Sequence, residues 1–240
     1  MLQAVLFDLD GTLLQLNSDE FIKKYLQEIS IAMSDVIEPK LLTETLMAST
    51  GVMTQDRPQE RLNIEVFWED FLRRLNRSYE ELGPHFEEYY VSQFNKLSIM
   101  TRKYENAFAA VQKAVDLGFK IVLATNPVFP KSAVLDRMAW AGVRDMPWVL
   151  LTTYENMHYC KPNPKYYLEI ASMIGLDPQD CLMVGNDAKH DIIPAQAVSM
   201  HTFLVNGPQN DKIAADPGAD GAGDLSAFIV WLDRFRQTEE

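Results

Sequence analysis

Apolar residues follow two different rhythms along this chain. Val5–Leu6–Phe7 is a short, continuous apolar run that predicts a buried strand. After it, the segments 19–31, 39–48, 59–77 and 84–97 each carry an apolar stripe at helical spacing. Phe21, Tyr25 and Ile29 mark the first stripe, and Ile64, Phe67, Trp68, Phe71, Leu72 and Leu75 the third. Packing between helices accounts for these residues better than ligand contact does. Near Arg102 the rhythm changes. A helix over 104–117, closed by Gly118, leads into a buried strand over 119–124. Helices at 130–141, 164–174 and 187–198 then alternate with strands at 148–151, 181–184 and 202–205. A last helix runs through Phe228, Trp231, Leu232 and Phe235. The Gly/Pro/Asp-rich stretches 207–211 and 216–224 read as loops. The second lacks the lysine and the strand–helix setting of a phosphate-binding loop.

Short apolar strands separated by helices imply a mainly parallel sheet covered on both faces. Residues 1–16 and 98–240 then form one discontinuous core, and 17–97 a helical insertion. Right-handed crossovers bring the carboxyl ends of the strands to one edge, where residues distant in sequence meet.

Composition narrows the classes. The 240 residues are 47% hydrophobic, which excludes global disorder, and the formal charge of −12 argues against general attraction to nucleic acid or to an anionic membrane. A phosphorylated small molecule stays admissible, because one metal ion and a few cations can invert the potential of a local pocket. Cys160 and Cys181 show neither paired metal-ligand spacing nor the density of a disulfide scaffold. His85, His158, His190 and His201 show no metal spacing either, although His158 lies beside the Lys161 loop. Without a leader-like segment or an apolar run near the roughly 20 residues that span a bilayer, the expectation is a cytoplasmic protein. The sequence is compatible with a monomer and with a homodimer.

Four places carry chemistry, and each follows a strand or enters a helix. Asp8 and Asp10 leave the first strand two residues apart, so extended geometry puts both on one side. Two carboxylates held together call for a cation, and a hard oxygen site suits Mg²⁺. Thr125 and Asn126 follow the second core strand, where a hydroxyl and backbone N–H groups can receive phosphate oxygens; Asn126 also fits an ordinary turn before Pro127. Lys161, extended by Pro162, can balance charge on an acid and on a phosphoryl group. Gly185–Asn186–Asp187 ends another strand, and Asp191 follows Asp187 by about one helical turn. Those two acids suit a metal shell, or simply the N-cap and first turn of a helix.

Together, Phe7–Asp8–Leu9–Asp10–Gly11–Thr12, Leu123–Ala124–Thr125–Asn126, Lys161–Pro162 and Val184–Gly185–Asn186–Asp187 through Asp191 resemble the four motifs of the haloacid dehalogenase-like hydrolases, particularly their aspartate-dependent phosphatases. The helical insertion resembles that family's type 1 cap. The resemblance implies a three-layer, Rossmann-like α/β core and hydrolysis of a small phosphorylated metabolite. It makes Asp8 the nucleophile that forms an aspartyl-phosphate and Asp10 the acid and then the base. Thr125, Asn126 and Lys161 hold the phosphoryl group, and Asp8, Asp10 (through its main-chain carbonyl), Asp187 and Asp191 hold Mg²⁺. Where the family commonly has Gly-Asp, this chain has Gly185–Asn186–Asp187. The spacing to Asp191 and the charged oxygen select Asp187 as the ligand, with Asn186 a neutral pocket ligand. Haloacid dehalogenase chemistry ranks lower, since it has no need of Asp10. A phosphomutase and a phosphoaspartate-dependent binding or signalling module also accord with these motifs. Arg57, Arg61, Arg73, Arg74 and Arg77 are cations for substrate recognition or plain decoration of helix faces.

Overall fold

The computed structural model describes residues 1–55, 60–206 and 217–239. Six parallel strands form the main sheet in the order β5 (Trp148–Leu151), β4 (Lys120–Leu123), β1 (Ala4–Phe7), β6 (Cys181–Gly185), β7 (His201–Val205) and β8 (Gly221–Gly223). The central strands β1 and β6 are buried throughout because both sheet faces are covered, which is why their sequences are continuously apolar. Alternation still sorts their side chains: Val5 and Phe7 enter one core, Ala4 and Leu6 the other. The first core takes helices α5 (Ala107–Asp116), α6 (Lys131–Ala141) and α9 (Leu225–Glu239); the second takes α7 (Pro164–Ile174) and the short α8 (Ile193–Gln196). This is a three-layer, Rossmann-like α/β arrangement.

Helices α1 (Ser18–Ala32), α2 (Pro39–Met53), α3 (Asn63–Leu75) and α4 (Tyr79–Ser92), with a 3₁₀ stretch at Phe94–Met100, lie between two short strands. These strands, β2 (Leu14–Gln15) and β3 (Arg102–Lys103), pair antiparallel, so the chain leaves the sheet and returns to it at one place. Strands of two residues give no periodic signal, and neither is visible in the sequence. The sequence pattern also starts the fourth helix at Pro84. The helix instead starts at Tyr79, because Ser78 and Glu81 form a reciprocal capping box, leaving Pro84 inside the helix.

The third helix begins at Asn63 rather than 59; residue 59 and Arg57 lie outside the described residues, as does the loop expected at 207–211. Within 217–224, expected as a loop, Gly221–Gly223 forms the edge strand β8. The helix expected over 187–198 is a π-helical turn, Ala188–Ile192, followed by α8. Among the described residues, no helix is long and apolar enough to cross a membrane.

The described arginines of this insertion pair with nearby acids. Arg73 and Arg74 both reach the buried Asp70 at 2.5 Å, and Ser49 on α2 donates to the same carboxylate at 2.9 Å, tying α2 to α3. Arg61 pairs with Glu69, and Arg77 with Glu81 at 3.3 Å.

Candidate active site

Strand β1 ends at the switch point of the sheet, between β4 and β6, where a crevice opens at the carboxyl edge. Asp8 begins the loop that follows and stays in register, its N–H donating to the Val184 carbonyl at 2.9 Å. The Lys161 ammonium stands between two buried carboxylates, 2.8 Å from Asp8 Oδ1 and 2.6 Å from Asp191 Oδ1. Burial alone would push the lysine down, but Asp191 and Asp8 outweigh it and hold Lys161 protonated well above its ordinary range. Burial also raises Asp191, against the pull of Lys161 and with the help of Asp8.

Asp10 pairs with Arg137, a fully buried cation on α6 whose guanidinium lies 4.7 Å from the centre of the Phe129 ring. Burial raises the Asp10 carboxyl, Arg137 opposes that shift, and Asp8 reinforces it. Thr12 donates to Asp8 Oδ2 at 3.1 Å and lies equally close to Asn186 Oδ1. Two glycines make room for this packing. A Cβ at Gly11, whose φ is +92°, would come within 2.5 Å of the Asn186 amide, and one at Gly185 would collide with the Asp191 carboxylate.

The structure therefore brings Asp8, Asp10, Thr125, Asn126, Lys161, Asp187 and Asp191 to one cleft of about 240 Å³. Thr125 is held through its carbonyl, which accepts from Tyr166 Oη at 2.8 Å and Thr152 Oγ1 at 2.7 Å. Asn126 accepts from the Lys161 backbone N–H at 3.1 Å, joining the second and third motifs.

Asp187 combines a place in that cleft with a local structural role. Its carboxylate caps the following turn, accepting from Lys189 N (2.8 Å) and His190 N (3.0 Å) and meeting the His190 ring at 3.0 Å. It stands half-exposed at the rim, while Asn186 faces Asp8 across Thr12. The charge that favours Asp187 in the sequence is used for capping and for the His190 pair. Those same contacts, the His190 ring first, lower its carboxyl to about 2. A carboxylate depressed on folding stabilises above its unfolded value and loses that contribution as pH falls through the folded one. Asp187→Ala should thus cost about 1 kcal/mol or less near neutrality, given its exposure, with the difference in thermal stability closing from roughly pH 4 toward pH 2.

Three contributors do not stand out in the sequence. Arg137 occupies the buried stripe of α6 with Ala133, Val134, Met138 and Ala141, so a cation at an apolar position is the available signal. Thr12 appears there only as part of a motif. Glu169, buried on α7, accepts from His158 N and Tyr159 N and meets the His158 ring at 2.6 Å, which fixes the loop that delivers Lys161. Glu169→Ala should cost about 1–3 kcal/mol in urea unfolding, because the partners of a buried acceptor are left unsatisfied.

The donor set fits a hard divalent cation. Three carboxylates, Asp8, Asp10 and Asp191, face two cations, Lys161 and Arg137, so an arriving phosphate leaves a surplus of negative charge. Asp10 Oδ1 is buried without a hydrogen-bond partner among the described residues. No three acidic, histidine or cysteine side chains among the described residues already surround one point, so the Asn186 amide oxygen and main-chain oxygens count among the available donors.

A sequence model of the haloacid dehalogenase-like hydrolases matches residues 2–199. The chain belongs to that family. Among its sequence relatives, a phosphoglycolate phosphatase of Neisseria gonorrhoeae is 28% identical over 207 residues, covering 81% of this chain and 76% of the relative. A haloacid dehalogenase-like phosphatase structure from Thermococcus onnurineus superposes with a TM-score of 0.59 at 20% identity, covering 96% of this chain and 98% of that one. An L-2-haloacid dehalogenase structure also gives 0.59, at 18% identity, over 97% and 100% of the two chains. At such identities these structures share the fold, and the chemistry has to be argued from the site.

Proposed function

We propose that this hydrolase is a cytoplasmic, Mg²⁺-dependent phosphatase that cleaves a small phosphate monoester through an aspartyl-phosphate on Asp8. The observation that carries this reading is the Lys161 ammonium held between Asp8 and Asp191, with Asp10 two residues from Asp8 and paired to Arg137. In the first half-reaction an Asp8 oxygen attacks phosphorus, the bond to the leaving alcohol breaks, and protonated Asp10 gives that oxygen its proton. In the second, Asp10 takes a proton from water; the water oxygen attacks phosphorus, and the Asp8–phosphorus bond breaks to release phosphate. Lys161, Thr125 and nearby backbone N–H groups stabilise the charge spread over the phosphoryl oxygens. Arg137 keeps the Asp10 carboxylate in place through both proton transfers. Mg²⁺, when bound, offsets the repulsion between Asp8 and phosphate; Asp8, the Asp10 carbonyl and Asn186 would hold it, with Asp191 supporting the shell. Asn186 thus takes the place that the sequence assigns to Asp187. The insertion between β2 and β3 serves as a cap that limits access of water to the cleft.

The test is phosphate release from a panel of monoesters with Mg²⁺ and after chelation. Turnover should vanish on chelation and return with the metal; undiminished turnover without it contradicts the reading. The ligand assignment has its own check in the same assay. Asp187→Asn should keep activity within about threefold, whereas Asn186→Ala should lose at least about tenfold and need more Mg²⁺ for half-maximal rate.

A further inference from the structure

Beside the catalytic cleft lies a second cavity of about 700 Å³, between the cap helices and the loop after β4. The two adjoin, since Ile22, Asn126, Val128 and Phe129 line both. Its walls are aromatic: Trp68 packs edge-on against Phe67 and Phe86, with ring centroids 5.5 and 5.2 Å apart. Such rings have few rotatable bonds and pack against each other, so they hold the space open instead of collapsing into it. No lysine, arginine or histidine stands among the described residues lining it, and the charged side chains there are Glu87 and Glu155. Both are already engaged: Glu87 accepts from Tyr79 Oη at 3.0 Å, and Glu155 from the Lys131 N–H at 2.9 Å. The remaining polarity is neutral, including the Tyr25–Tyr90 hydroxyl pair at 2.8 Å and the Thr50 side chain.

We infer that this cavity receives the leaving group, and that the substrate is a phosphate monoester of an uncharged, apolar, ring-sized alcohol. The inference rests on the phosphatase reading above and adds the class of substrate. A cavity of this volume adjoining the reacting groups has the dimensions of a ligand site. Apolar rings gain by leaving water there, whereas a carboxylate would be desolvated beside two glutamates with no cation to receive it. A hydroxyl-rich sugar would face rings that satisfy few of its hydrogen bonds.

Aryl oxygens leave more readily than alkyl ones, so binding of non-hydrolysable analogues decides the matter. With Mg²⁺ present, calorimetry should show naphthylmethylphosphonate binding at least about tenfold tighter than phosphonoacetate. Thr50→Arg, which puts a cation on the half-buried wall, should cut that ratio at least about tenfold. Val91→Lys, at a rim position that is 83% exposed and tolerant of substitution, should move it the same way by less. Phosphonoacetate binding as tightly as the naphthyl compound, or a ratio unmoved by both variants, overturns the inference. If the naphthyl preference holds and both variants reduce it, yet no monoester is hydrolysed, the cavity assignment stands and the phosphatase reading falls.

Discussion

Asp8→Asn should abolish phosphate release, lowering kcat by at least about a thousandfold, or roughly 4 kcal/mol of barrier. The substitution keeps the shape of the side chain and the contact with Thr12 Oγ1, which can turn to an amide as to a carboxylate. It removes the anionic oxygen that attacks phosphorus, and with it one of the two negative charges that hold Lys161 in place. Because Asp191 remains, Lys161 stays anchored and the fold should survive. Binding of a phosphonate in the presence of Mg²⁺ should therefore persist while turnover is lost, separating chemistry from a collapsed site.

Lys161→Met should have the second-largest effect, and it acts on stability as well as on rate. Loss of a cation that stabilises the transferring phosphoryl group should lower kcat by about a hundredfold or more. Without metal, the variant leaves Asp8 and Asp191 buried together with no positive charge between them. Removing one partner of a buried pair costs roughly 3–5 kcal/mol, or a fall in Tm on the order of 10 °C for a chain of this size. The pH dependence has a definite sign. Lys161, raised on folding, stabilises fully below its unfolded value, so the deficit is present at neutral pH. In the variant, Asp191, already raised by burial, loses the opposing pull of Lys161 and rises further. A carboxyl raised on folding binds protons more readily in the folded state, so acidification helps the variant. Its deficit should shrink between about pH 7 and pH 5, followed by thermal unfolding in both proteins.

These two residues are legible in the sequence because each stands where an apolar run or a proline fixes the backbone. The strands β1, β4 and β6 are buried on both faces, so their sequences announce themselves, and residues just beyond their ends are placed almost by counting. Asp8 and Asp10 belong to that group, as do Thr125 and Asn126. Arg137 is hidden by its surroundings, since its helical stripe reads as core and nothing local says that its partner, Asp10, is 127 residues away. Asn186 and Asp187 pose a different problem. Charge favours aspartate as a metal ligand, but aspartate is also a preferred N-cap, and the turn after β6 uses it so. The neutral neighbour is left facing Asp8. Strands β2 and β3 are illegible for want of length, and the start of α4 because its proline is more conspicuous than its capping box.

Covalent transfer to Asp8 is open to direct observation by rapid-quench mass spectrometry. Protein mixed with a hydrolysable monoester and Mg²⁺ should be stopped in acid within the first turnover, digested and examined at the peptide that contains Asp8. An acid-stable, alkali-labile phosphoryl group should appear on Asp8, be absent from Asp8→Asn, and accumulate in Asp10→Asn when the monoester is a nitrophenyl phosphate, whose leaving oxygen needs no acid while hydrolysis of the aspartyl-phosphate lacks its base. Steady release of phosphate with no phosphoryl group on that peptide, at a rate unchanged in Asp8→Asn, would contradict it.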